Sequence, residues 1–278
     1  MCSIFKYRDC VGRNFDYEVS YDEELRVIEP MAYGNELRVM GMCTGFVKNY
    51  PLMYDGINEK GLVVGALAFT GNAHYFDEVD DKVNIPAFDF VFQILSSFKS
   101  VREVCEFVEN VNISNKQFSD EFPNSDLHWF VADKDKSIVI ESVDDGLYWY
   151  ASPLGIMTNN PPYFAQMKVS DIELSDIRKF PYSNRLYDSR GTETYGLTGD
   201  YTSIGRFARL KYLKRRLEES DDSFNSVCQT FHLCSSVEQI YGVTNVEDKF
   251  EYTIYSVVYD MSNVKVYLRM YDEVFGYG

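Results

Sequence analysis

The chain lacks a surplus of basic residues: 27 Lys and Arg stand against 43 Asp and Glu, for a formal charge of −16. Phosphate backbones and anionic lipid surfaces are bound by clustered cations, so this balance argues against nucleic-acid and membrane partners. Paired cysteines are also lacking. The six cysteines fall at positions 2, 10, 43, 105, 228 and 234, with no CxxC pair and no even framework. That pattern is expected of thiols kept reduced in the cytoplasm. Cys228, His232 and Cys234 stand close together, but apolar Val227, Phe231 and Leu233 surround them and no fourth ligand follows. No metal is expected there. The apolar runs are of strand length, too short for a bilayer. Residues 1–15 lack the charged start and continuous apolar stretch of a signal peptide. The chain is therefore expected to begin, functionally, at its own N-terminus.

Aromatic residues are abundant, with 22 Tyr and 20 Phe among 278 positions, and they suit pleated, half-buried β positions. The length suffices for one large core. Ser3–Tyr7 and Val11–Tyr17 are β-prone runs on either side of Arg8 and Asp9, which predicts a hairpin. Glu36–Lys48 reads as a longer strand. Asp55–Gly61 reads as turn chemistry, and apolar Leu62–Phe69 as a strand covered on both faces. Pro86 suits the first turn of a helix carrying Phe88, Val91, Phe92 and Leu95. Ser100 and Glu103 form a capping-box pattern for a second helix. Leu127–Ala132, Ser137–Glu141 and Gly146–Tyr150 predict an antiparallel meander. Residues 164–200 read as a long irregular excursion. Ser203–Leu217 and Ser226–Leu233 read as helices, and Glu251–Tyr259 with Val264–Tyr271 as a closing hairpin. Strands are grouped rather than alternating with helices, which favours an α+β fold in a single domain over residues 1–278.

Cys2 offers the most chemistry. Removal of Met1 would place a free α-amine beside its thiol. An α-amine titrates at about 7.7–8.0 and can act as a base near neutrality, while a thiol near 8.5 attacks as its thiolate. One residue then supplies nucleophile and base together. With Met1 retained, the Cys2 nitrogen is an amide and the base is lost. A cysteine at position 2 is by itself unremarkable; the following segment gives it weight. Arg13 and Asp16 lie on the strand expected beside residues 2–7. Strict alternation puts them on opposite faces, and both reach one site only if the strand bends or bulges, as Gly12 and Asn14 would allow. The plainer alternative is a surface ion pair. None of His74, His128 and His232 is required as a base, and His128, inside the strand Leu127–Ala132, reads as structural.

Several segments, in order, resemble the choloylglycine hydrolase family, which includes bile salt hydrolases and penicillin V acylases. They are Met1-Cys2, Gly12-Arg13-Asn14-Phe15-Asp16, Asp55-Gly56-Ile57-Asn58-Glu59-Lys60-Gly61-Leu62 and Asn84-Ile85-Pro86. Leu127-His128-Trp129, Met157-Thr158-Asn159-Asn160-Pro161, Leu197-Thr198-Gly199-Asp200-Tyr201 and Arg206-Phe207 continue the series. The resemblance implies a four-layer αββα N-terminal-nucleophile hydrolase fold with two stacked antiparallel sheets. It also implies roles: Cys2 as nucleophile, Asp16 holding the α-amine, and Arg13 tuning the thiolate. Asn159 would donate its side-chain amide to the oxyanion, and Arg206 would complete the polar network. No cofactor is implied.

The sequence also departs from the family pattern. Bile salt hydrolases carry Asn, and penicillin V acylases often Tyr, where this chain has Ala68; Asn72 is no direct replacement. A backbone N–H at Ala68 preserves an oxyanion donor, while any side-chain contact to substrate is lost. The Tyr17–Gly34 loop, the 164–196 excursion and the C-terminus are short for the family. The leading expectation is a cysteine amidase acting on a small N-acyl amide such as a conjugated bile salt. Phe15, Met53, Phe69 and Tyr163 are candidates for its apolar pocket. A penicillin V or acyl-homoserine-lactone acylase would use the same catalytic set, and an inactive binding relative is the alternative of another class. A homo-oligomer is expected by analogy alone.

Overall fold

The computed structural model describes residues 1–170, 197, 199–218, 225–246 and 248–273. Its strands are β1 (Ser3–Tyr7), β2 (Cys10–Tyr17), β3 (Glu24–Ile28), β4 (Val39–Cys43), β5 (Met53–Asn58), β6 (Val63–Ala68), β7 (Val83–Pro86) and β8 (Val111–Ser114). There follow β9 (Leu127–Ala132), β10 (Ser137–Val143), β11 (Gly146–Ala151), β12 (Ile156–Thr158), β13 (Thr244–Val246), β14 (Lys249–Asp260) and β15 (Lys265–Met270). The helices are α1 (Phe90–Ser97), α2 (Val101–Val108), α3 (Tyr163–Ser170), α4 (Ser203–Glu218) and α5 (Ser226–Ser236).

Two antiparallel sheets dominate. One runs β12-β1-β2-β14-β13 with β15 also paired to β14; the other runs β11-β10-β9-β6-β5-β4-β3. The period of two along each strand dictates how they stack. On β1, Ile4 approaches Gly65 of the facing sheet, while Phe5 lies over Gly12 beside Thr230 and Cys234 of α5. Gly12 is required there, because a Cβ would sit 2.6 Å from the Thr230 methyl and 2.8 Å from the Phe5 ring. On β6, Val63 and Leu67 join the core between the sheets, and Val64 and Ala66 join Phe90, Leu95 and Val104 of the outer helices. Helices α4 and α5 cover the first sheet, and α1 and α2 the second, giving the αββα layering. No described helix is long and apolar enough to cross a membrane.

The hairpin at Arg8–Asp9, the buried strand after Gly61, the meander and the closing hairpin form as expected. Ser100 caps α2, its hydroxyl accepting from Glu103 N at 3.3 Å. Other expectations need correction. The Glu36–Lys48 strand shrinks to β4, because Glu36 and Leu37 turn their N–H groups to the Ser96 carbonyl. Asp55 to Asn58 belong to β5 rather than to a turn, which starts only at Glu59. Pro86 closes β7 ahead of a short 3-10 turn, Ala87–Asp89, instead of opening α1. The segment Tyr17–Gly34 contains the edge strand β3, and the excursion after residue 163 opens as α3. The remainder of that excursion, from 171 to 196, lies outside the described residues.

Candidate active site

Register places Cys2. Ser3 pairs with Asn14 on one side and with Thr158 on the other. The preceding residue therefore falls beside Phe15 and Asn159, where β1 ends between its neighbours. Cys2 N donates to Asn159 Oδ1 at 2.6 Å. Arg206, wholly buried on α4, donates to the Cys2 carbonyl at 2.5 Å, to Ser3 Oγ at 2.6 Å and to Asn159 Oδ1 at 2.9 Å. Burial pushes the Arg206 guanidinium below its ordinary value, and Asp16 and Cys2 push back. Asn159 is itself fixed from α3. Buried Gln166 donates to the carbonyls of Asn159 and Pro161 at 2.5 and 2.8 Å.

Arg13 and Asp16 do lie on opposite faces of β2. The register slip is on the partner strand, between Thr253 and Tyr255 of β14. Both residues nevertheless lie near Cys2, which stands at the strand end where both faces are within reach. Asp16 looks toward the helices: its carboxylate accepts from Thr253 Oγ1 at 2.6 Å and Gln239 Nε2 at 2.7 Å, with Arg206 Nη1 at 3.9 Å. Its backbone carbonyl accepts from the Met1 ammonium at 2.9 Å and from the Cys2 thiol at 3.7 Å. The Met1 ammonium also pairs with Glu251. With Met1 present, the Asp16 carbonyl rather than its carboxylate meets the N-terminus. Arg13 looks into the sandwich, where it pairs with buried Asp55, donates to Tyr255 Oη at 3.2 Å and to the Ala66 carbonyl at 2.7 Å. Burial opposes its charge, but Tyr255, Cys2 and Tyr259 beside it hold the guanidinium above its ordinary value.

A cavity of about 370 Å³ opens over Cys2 and Arg13. Phe15, Tyr17, Tyr54, Met53, Phe88 and Phe118 line it, with Ala68 at its wall. Of the four apolar residues expected at a pocket, Phe15 and Met53 line this cavity. Phe69 and Tyr163 do not line it: Phe69 stacks on His128 at 4.5 Å, and the Tyr163 hydroxyl turns to Ser152 Oγ at 2.7 Å. His128 is fully buried against Glu141, 3.1 Å away.

The ladder between β5 and β6 stops at Gly65, which frees that edge of β6 beside Cys2. Phe69 N donates toward β9, to the Asp126 carbonyl at 2.8 Å. By alternation the Ala68 N–H points the other way, to the free edge. Asn159 Nδ2 reaches the same edge, donating to the Ala68 carbonyl at 2.8 Å and keeping its second N–H. The Ala68 N–H and the Asn159 amide thus share the free edge of a strand that lines the Cys2 cavity, and paired N–H donors of this kind stabilise a tetrahedral oxyanion in acyl transfer. Sequence reasoning missed Asp55, Tyr255, Tyr259, Gln239 and Gln166. Of these, only Asp55 lies in one of the family-like segments, and beside Gly56 it reads as a turn residue.

Known proteins share this architecture. A bile salt hydrolase/transferase of Lactiplantibacillus plantarum is 40% identical over 98% of this chain and 90% of its own. A bile salt hydrolase/transferase of Clostridium perfringens is 30% identical over 88% of this chain and 80% of its own. A solved structure of a variant conjugated bile acid hydrolase from C. perfringens superposes with a TM-score of 0.88 at 27% identity, over 98% of this chain and 90% of that one. The penicillin V acylase of Agrobacterium tumefaciens, at 17% identity and a TM-score of 0.73 over 98% of this chain and 83% of that one, shares the fold. The model of the linear amide C–N hydrolases, choloylglycine hydrolase family, matches residues 4–275, and the chain belongs to that family of amide-cleaving enzymes.

Proposed function

We propose that the protein hydrolyses the amide bond of conjugated bile salts, with Cys2 as nucleophile once Met1 has been removed. The observation that carries this reading is that Cys2 and Ala68 line one aromatic cavity, with Asn159 bonded to both, accepting from Cys2 N and donating to the Ala68 carbonyl. The relative sharing 40% identity over nearly the whole chain supports the substrate class. In the reaction, the α-amine takes the thiol proton as the Cys2 sulfur adds to the amide carbonyl, and the oxyanion takes hydrogen bonds from Ala68 N and Asn159 Nδ2. The C–N bond then breaks, the α-amine delivers a proton to the leaving nitrogen, and water hydrolyses the thioester. Arg206 and Asn159 Oδ1 hold the Cys2 main chain, and Arg13 lies beside the thiol. One domain over residues 1–278 carries this activity, in the reducing cytoplasm and within a homo-oligomer. Six unpaired cysteines support the compartment.

The test is a substrate panel of conjugated bile salts, penicillin V and an acyl-homoserine lactone, read as released amine. Fastest turnover of a conjugated bile salt is expected. Preference for penicillin V, or no amine released from any of them, contradicts the assignment.

A further inference from the structure

We propose that Asp55, tied to Tyr255 and Tyr259, is a positioning residue that acts on Cys2 through Arg13; this rests on the reading of Cys2 as the nucleophile. Arg13 and Asp55 are 1% and 0% exposed, so the cation and carboxylate face each other without solvent screening. Tyr255 joins them. Its hydroxyl donates to Asp55 Oδ2 at 2.5 Å and accepts from Arg13 Nη1 at 3.2 Å. Tyr259 donates to Asp55 Oδ1, so each carboxylate oxygen is claimed by a tyrosine. Burial raises the titration of both tyrosines far above the ordinary phenol, which keeps them as neutral donors.

The other half of the Arg13 fork runs into the site. Nη2 donates to the Ala66 carbonyl at 2.7 Å, on the free edge of β6 whose next outward N–H belongs to Ala68. The guanidinium is thus fastened to a compensating carboxylate at one end and to the strand of the oxyanion donor at the other. Its ring neighbour is Phe15, 5.1 Å from the guanidinium carbon, and Phe15 stacks on Tyr255 at 5.1 Å. The remaining titratable groups near Arg13 are Cys2 and Tyr54. On the opposite face of β2 stand Asp16 and Arg206, with Glu251 and Asp200 also near Arg206.

Without Asp55, an uncompensated guanidinium would favour the Cys2 thiolate more strongly, and a more stabilised thiolate is a weaker nucleophile. The fork would also lose the anchor that keeps it on Ala66. The test compares Asp55→Asn, Tyr255→Phe, Arg13→Gln and the double variant Arg13→Gln/Asp55→Asn, by the pH dependence of Cys2 alkylation and by amide turnover. Asp55→Asn is expected to lower the alkylation midpoint by about one pH unit. Tyr255→Phe, which keeps the ion pair and the ring, is expected to lower kcat about tenfold with KM unchanged. Asp55→Asn is expected to add nothing to Arg13→Gln. The double variant leaves no unpaired buried charge, so this comparison stands even where Asp55→Asn alone does not fold. An unshifted midpoint in Asp55→Asn, an unchanged kcat in Tyr255→Phe, or a further loss on adding Asp55→Asn to Arg13→Gln overturns the proposal. Full turnover by Cys2→Ala would instead mean that the nucleophile reading itself has failed.

Discussion

The backbone nitrogen of Cys2 lies 2.6 Å from the side-chain oxygen of Asn159, a residue 157 positions away in sequence. Arg206 holds the same oxygen at 2.9 Å and the Cys2 carbonyl at 2.5 Å. Cys2 is thereby fixed by its main chain, while its thiol lines the cavity.

Substitution of that thiol separates catalysis from folding. Cys2→Ala and Cys2→Ser are expected to lower kcat on the preferred amide by roughly 10³-fold or more. The side chain is small and stands at a cavity floor, so Tm should change little. Turnover and thermal unfolding on the same preparations check both halves.

If Asn159 supplies an oxyanion donor as proposed, Asn159→Ala is expected to lower kcat by about 10²–10³ with KM little changed. Because Asn159 Oδ1 also receives Cys2 N and Arg206, the variant should in addition make the N-terminal residues easier to displace, read as faster amide hydrogen exchange on β1.

Thiol chemistry carries a pH signature. Burial pushes the Cys10 and Cys43 thiols from an ordinary 9.0 up to about 12 and raises those of Cys105 and Cys234. A raised acid keeps its proton, so these four offer little thiolate near pH 8. A neutral alkylating reagent should spare these four, and activity should be lost in step with modification of Cys2 alone; peptide mapping decides. For Cys10 and Cys43 the unfolded chain ionises near 9 while the folded chain stays protonated. Their contribution to stability is therefore intact below about 9 and is lost as pH rises toward about 12, which a Tm series with pH would follow.

Gly12→Ala should destabilise by about 1–3 kcal/mol, through overpacking. A Cβ there meets Thr230, Phe5 and Cys234 Sγ at 2.6, 2.8 and 3.1 Å, and all three side chains are fully buried. Denaturant unfolding measures the loss; an unchanged midpoint would mean that α5 can shift away from β2.

Much of this was legible in the sequence because it is local or periodic. The hairpin at Arg8–Asp9 and the strict alternation of Arg13 and Asp16 follow from the period of two. The convergence of Cys2, Asn159 and Arg206 followed from the family motifs. What stayed hidden depends on contacts between distant positions. Asp55 reads as a turn residue beside Gly56 until Tyr255, 200 positions later, is seen to bond it. Gln166 sat in a stretch of weak periodicity, and nothing in its neighbours marks it as the anchor of Asn159. Phe69 and Tyr163 carried the right composition for a pocket, but burial against His128 and Ser152 turned them inward.

The intact mass of purified, active protein, before and after a brief reaction with an amide substrate quenched in acid, tests Cys2 as the nucleophile. A mass lacking Met1 is expected and, after reaction, one acyl adduct that maps to Cys2. Full activity in protein that retains Met1, or an adduct on any other residue, would contradict it.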